Sequence, residues 1–244
     1  PLKFSYTRWA SVVSHMLGGF ETAGYIHRAA AVIMVGIFIT HIVDVVQRKR
    51  REKTSWKDLL LGPKSMMFGR KDLTDLIGSI KWFLGVGKRP HYGRWTYWEK
   101  FDYIAVFWGI AVIGSTGLLL WFPAFFAWFL PGWLVNVATI VHSDEALLAT
   151  GFIFTIHFFN THLRPEKFPM DLVIFTGRMT VEELKHDKPE EYEELVASGE
   201  LEKNLVVPYQ PIVIRTIRAF AWTALALGTM MVLWIIYAML FAYV

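Results

Sequence analysis

Four long apolar runs leave this chain few ways to fold: Tyr25 to Val46, Tyr103 to Phe122, Val135 to about Leu163, and Ile212 to Tyr243. Each reaches the roughly 20 residues that a helix needs to cross the hydrocarbon of a bilayer. Inside lipid a backbone must satisfy its own hydrogen bonds, so runs of this length predict an all-α transmembrane helical bundle with four visible spans. The sequence opens on Pro1 rather than Met, which suggests that a further N-terminal span is missing. Of the 244 residues 54% are hydrophobic, and the formal charge is only +4, with no basic, aromatic-interleaved surface of the kind nucleic acid requires. Cysteine is absent. That excludes disulfides, thiolate-held iron–sulfur clusters and a C-x-x-C-H attachment, so any cofactor is held non-covalently.

Lys and Arg are unevenly distributed between the connections. Gln47 to Lys100 carries fourteen, Arg164 to Arg218 carries eight, and the turn "PAFFAWFLPGW" carries none. The positive-inside rule then makes connections 47–102 and 164–211 cytoplasmic and puts residues 1–24 and the C-terminus outside. Trp121, Trp128 and Trp133 fit an outer aromatic belt, and Trp95 and Trp98 an inner one; packing accounts for any one of them equally well. Within the first basic connection "RKDLTDLIGSIKWFLG" spaces Leu73, Leu76, Ile77, Ile80 and Phe83 at helical intervals, which predicts an interfacial helix on the membrane surface. In "TVEELKHDKPEEYEELVASG", Thr180 and Glu183 form a capping box, Pro189 starts a second helix and Gly199 stops it. Its acidic face reads as solvated, with docking to a partner as the alternative.

Histidine is costly inside an apolar span, so each one there is a functional hypothesis. The first span has His27 and His41, fourteen residues apart, and the third has His142 and His157, fifteen apart. At about 100° per residue both pairs return to nearly one face, and at 1.5 Å per residue their members lie about 21 to 22 Å apart along the axis. Both spans run inward. His27 and His142 therefore share the outer level, and His41 and His157 the inner one. Two facing pairs at two depths suit two stacked haems of the b type, whose iron takes neutral imidazoles axially. Gly36 and Gly151, each nine residues after its helix's first histidine, would leave room for ring edges, or else serve close helix packing. Asp44 and Asp144 look like boundary residues. The competing class is a haem-free transporter or channel with intramembrane histidines, which would gather them at one depth with carboxylates.

The order "GGFETAGYIHRAAAV", "GRWTYWEKFDYIAVFWGIAVIGSTGLLLWFP", "VHSDEALLATGFIFTIH" and "FTGRMTVEELKHDKPEEYEEL" resembles the integral-membrane cytochrome b subunits of formate dehydrogenases and nickel–iron hydrogenases, from about Gly18 to Leu195. The resemblance implies that His27 and His142 hold the outer haem. It also implies that His157 holds the inner one with a histidine from a first helix, here absent upstream of Pro1. His41 is the geometric alternative as partner of His157, and both apply if a third haem exists. It further implies a bacterial or archaeal cytoplasmic membrane and electron transfer between a peripheral redox subunit, an iron–sulfur protein or multihaem cytochrome c, and the quinone pool. Quinone reduction or quinol oxidation would occur by the inner haem, in a region matched by Thr96, Glu99, Lys100 and Asp102. The bland reading of those four is a surface ion pair. Arg28, Arg48 and Arg164 stand near haem levels as propionate partners, or are ordinary membrane-edge cations. His15, His91 and His186 sit in loops with no ligand role.

Overall fold

The computed structural model describes residues 8–241. The described residues form helices and turns with no strands, as the apolar runs require. In chain order the helices are α1 (Arg8–Met16), α2 (Phe20–Arg51), α3 (Trp56–Leu61), α4 (Arg70–Phe83), α5 (Tyr97–Trp121), α6 (Pro123–Phe126), α7 (Trp133–Phe152), α8 (Val173–Thr176), α9 (Val181–Asp187), α10 (Pro189–Ala197) and α11 (Pro211–Phe241). Helix α7 continues through two π-helical stretches, Ile153–His157 and Phe159–Leu163. Four of these helices are long and apolar enough to cross a membrane: Phe20–Arg51, Tyr97–Trp121, Trp133–Leu163 and Pro211–Trp234. The expected C-terminal limit of the last span, Tyr243, lies outside the described residues.

The helices overrun the apolar runs at their ends. Helix α2 has 32 residues, about 48 Å of rise against a hydrocarbon core of about 30 Å. Its excess is polar: Glu21 lies in the first turn and Arg48, Lys49, Arg50 and Arg51 in the last, each of the sign that the helix dipole favours at that end. Gly18 (φ 85°) and Gly19 (φ 100°) make the turn from α1 into α2 in a backbone region that side chains resist. The Gly19 N–H closes that turn on the Ser14 carbonyl at 2.7 Å.

By contact the chain divides into two compact units. One comprises Trp108–Phe159 with the chain up to Arg51 and from Ala224 onward; the other comprises Glu52–Phe107 and Asn160–Thr223. In the first, α11 comes close to the π-helical end of α7: a Cβ at Gly228 would lie 2.5 Å from the Phe158 ring. Only a residue without a side chain fits there.

The second unit is tied together by charge. Basic residues of the first connection meet the acidic helix α10 of the second, Arg94 with Glu191 (2.8 Å), Lys71 with Glu190 (2.9 Å) and Lys64 with Glu194 (3.1 Å), and Lys188 of the second reaches back to Glu99 of the first (3.0 Å). The acidic face of α10 is therefore not simply solvated. It is largely spent on the chain's own cations. The capping box at α9 is present, with Glu183 N–H on Thr180 Oγ1 at 3.1 Å and Thr180 N–H on Glu183 Oε2 at 3.0 Å. Gly199, at φ 67°, follows α10 as expected.

Asp187 is the hub of a further cluster, with Lys167 Nζ at 3.1 Å, Arg89 at 3.6 Å and the His186 ring at 2.9 Å. Burial pushes its carboxyl up, but hydrogen bonds from His186 and Lys167 and the charge of Lys167 outweigh that and hold it below the usual carboxylate range. A depressed carboxyl stabilises the fold above its unfolded value, and that contribution disappears as pH falls through the folded value. Asp187→Asn should cost roughly 1–3 kcal/mol at neutral pH and flatten the acid limb below pH 3.8, read from detergent-solubilised unfolding midpoints. An unchanged acid limb would remove Asp187 as its source.

Candidate functional site

Of the four intramembrane histidines, His27 and His142 are seen to meet. Helix α2 presents His27 and helix α7 presents His142, with ring centroids 6.1 Å apart and planes at 89°. Two imidazoles brought together from different helices form a nitrogen donor pair.

Helix α5 sets the direction of His142. Its Nδ1 lies 3.1 Å from the Ile113 carbonyl and 3.1 Å from Thr116 Oγ1. The Thr116 hydroxyl already donates to the Val112 carbonyl at 2.7 Å, so both neighbours act as acceptors. Nδ1 therefore carries the proton, and Nε2 keeps its lone pair for a ligand bond. Gly117 completes the seat, since a Cβ there would lie 3.1 Å from His142 Cε1. Sequence reading missed Ile113, Thr116 and Gly117. The signal was the run "GSTG", small and hydroxylated residues inside an otherwise bulky apolar span.

The surroundings of the pair are spacious. Helix α2 buries none of its described residues, and a Cβ at Gly36 or at Gly151 would meet nothing within 4 Å. Arg28 folds its guanidinium over the rings of Tyr25 (4.8 Å) and Trp121 (5.9 Å).

The second histidine level is less regular. His41 lines a shallow groove along one face of α2 with Ile33, Gly36, Ile37, Thr40 and Asp44. His157 closes the first π-helical stretch. The wider i→i+5 turn there means that a fixed 100° per residue does not carry from His142 to His157. Azimuths reckoned from sequence are corrected at this point. His162, in the second π stretch, is buried and bonds through Nδ1 to the Pro169 carbonyl at 2.8 Å.

Thr96, Glu99 and Lys100 are engaged at the start of α5. Glu99 accepts from the Thr96 backbone N–H (2.8 Å) and hydroxyl (2.9 Å), a helix-start arrangement, and pairs with Lys188. Lys100 is buried against Asp72 at 2.9 Å. Asp102 lies one turn in, with a buried Oδ1. Arg48 pairs with Asp44 at 2.8 Å, and Arg164 stands 5.6 Å over the Trp98 ring.

Among the described residues no group of three or more His, Cys, Asp or Glu converges as a cation cage would require. The groups that do meet are the two imidazoles of His27 and His142. No protein-family model, curated protein or solved structure matches the chain.

Proposed function

We propose that this multi-pass helical membrane protein is the b-type cytochrome subunit of a respiratory oxidoreductase, passing electrons across the membrane between a peripheral redox subunit and the quinone pool. The observation that carries the reading is the opposition of His27 and His142 at 6.1 Å, with the second nitrogen of His142 committed to Ile113. Resemblance in sequence supplies the rest: the quinone, the partner and the cytoplasmic placement of the basic connections.

These residues fit a haem. His27 and His142 would be its axial ligands, and His157 would serve a second with His41 or with a histidine beyond this sequence. When bound, the haem supplies a reversible one-electron couple. The chain's part is to fix the imidazole tautomer through Ile113 and Thr116 and to leave the space at Gly36, Gly117 and Gly151 free of its own side chains. Arg28, half-buried beside Tyr25 and one residue from His27, would supply a cation for a carboxylate of that group. At the start of α5 a quinone would meet Thr96, Glu99, Lys100 and Asp102, of which Glu99 and Lys100 lie in ion pairs with Lys188 and Asp72. Protons exchanged there would pass among groups already held by these partners.

A reduced-minus-oxidised visible spectrum of the purified protein tests the proposal. We expect a b-type spectrum with about two haems per chain. A colourless preparation that stays colourless after haem is supplied during folding overturns it and leaves the haem-free transporter. Loss of one haem in His41→Ala would make His41 the partner of His157; unchanged content would give that place to another histidine.

A further inference from the structure

Helix α4 is amphipathic the wrong way round for a helix packed on a soluble core. Its buried residues are Asp72, Asp75 and Ser79. Asp72 takes Lys100 and caps α4 through the Gly69 N–H at 2.7 Å; Asp75 pairs with Lys71 at 3.4 Å; Ser79 bonds the Tyr92 hydroxyl at 2.7 Å. The adjoining face is apolar and outward: Leu73 is 61% exposed, Ile80 50% and Phe83 75%, with Leu76 and Ile77 between them. Met67 and Phe68 before the helix and Leu84 and Val86 after it continue the surface. The polar side is fully used within the unit. The apolar side therefore has a non-aqueous occupant.

We infer that this face is inserted in the bilayer interface beside the start of α5, with Arg70 and Lys81 on lipid phosphates. Two observations favour lipid over protein. Lys100, in the first turns of a candidate span, is bonded to Asp72, so α4 is pinned to the start of that span. Arg70 and Lys81 are exposed and, eleven residues apart, lie within about 20° of one another along the edge of the apolar face. That is the cation-flanked pattern of interfacial helices, suited to anionic headgroups. This inference does not depend on haem.

The absence of cysteine permits a direct test. Leu76→Cys, Ile80→Cys and, as an aqueous control on α10, Glu193→Cys are each labelled with a nitroxide in the full chain. The labelled proteins are reconstituted into vesicles of phosphatidylglycerol and phosphatidylcholine, and relaxation by oxygen is compared with relaxation by a water-soluble nickel chelate. At Leu76 and Ile80 oxygen should dominate severalfold over the chelate, and at Glu193 the order should reverse. Chelate dominance at the first two overturns the inference because the face is then in water. Exclusion of both reagents also overturns it, because a second copy or another protein then covers the face. Arg70→Glu combined with Lys81→Glu should move the Ile80 label toward water in these vesicles and not in phosphatidylcholine alone. An equal shift in both would remove the headgroup assignment.

Discussion

His142→Ala is expected to purify with about one b-type haem per chain in place of about two. The basis is geometric. His142 is one of two imidazoles facing each other at 6.1 Å, and its orientation comes from a different helix through Ile113 and Thr116. On the proposed reading, its removal would take one of the two residues that hold the group there and leave His157 untouched. Imidazole added during reconstitution should restore part of the lost signal, which separates ligand loss from misfolding. Gly117→Ala provides the finer arm: its Cβ would lie 3.1 Å from Cε1, so the ring must shift by a few tenths of an ångström. Haem content should then hold while the electron paramagnetic resonance g-values and midpoint potential of one haem move. Wild-type content in His142→Ala would end the assignment of this pair; unaltered resonance in Gly117→Ala would end only the seating role of α5.

The four spans were legible because lipid permits so few solutions: twenty apolar residues without internal breaks dictate a helix whatever the neighbours do. The limits of α4 and the starts of α9 and α10 were legible from local chemistry, periodicity in one and the Thr180–Glu183 reciprocity and Pro189 in the others. Periodicity marked the apolar face of α4 but not what fills its polar face, because Lys100 and Tyr92 arrive from later in the chain. Likewise the acidic run after Thr180 showed only charge. Its pairing with Lys64, Lys71 and Arg94 is tertiary, although the surplus of cations in the first connection pointed that way. The meeting of His27 with His142 followed from spacing and direction, whereas the π-helical end of α7 did not, since no single residue signals an i→i+5 turn. The seat on α5 is of the same kind. A glycine 25 residues before His142 shows its purpose only once two helices are side by side.

Lys100→Met should release α4 from α5, and the size of that effect decides what Lys100 does. Its ammonium lies 2.9 Å from Asp72, with side-chain exposures of 11% and 6%. Removing one member of a buried pair strands the other charge, at a typical cost of about 3–5 kcal/mol. At about 1.4 kcal/mol per tenfold, amide hydrogen exchange along α4 should accelerate by roughly two to three and a half orders of magnitude. Asp72 keeps the Gly69 N–H as a partner, which favours the lower end. Adding Asp72→Asn removes the stranded charge while preserving an acceptor for that N–H, so the double variant should recover most of the protection. A lysine serving mainly a quinone behaves differently. Lys100→Met would then leave α4 exchange at its wild-type rate and alter only quinone affinity, and the second substitution would rescue nothing. The coupling between the two positions, read in a protein with no quinone added, therefore separates a structural tether from a substrate contact at the same atom.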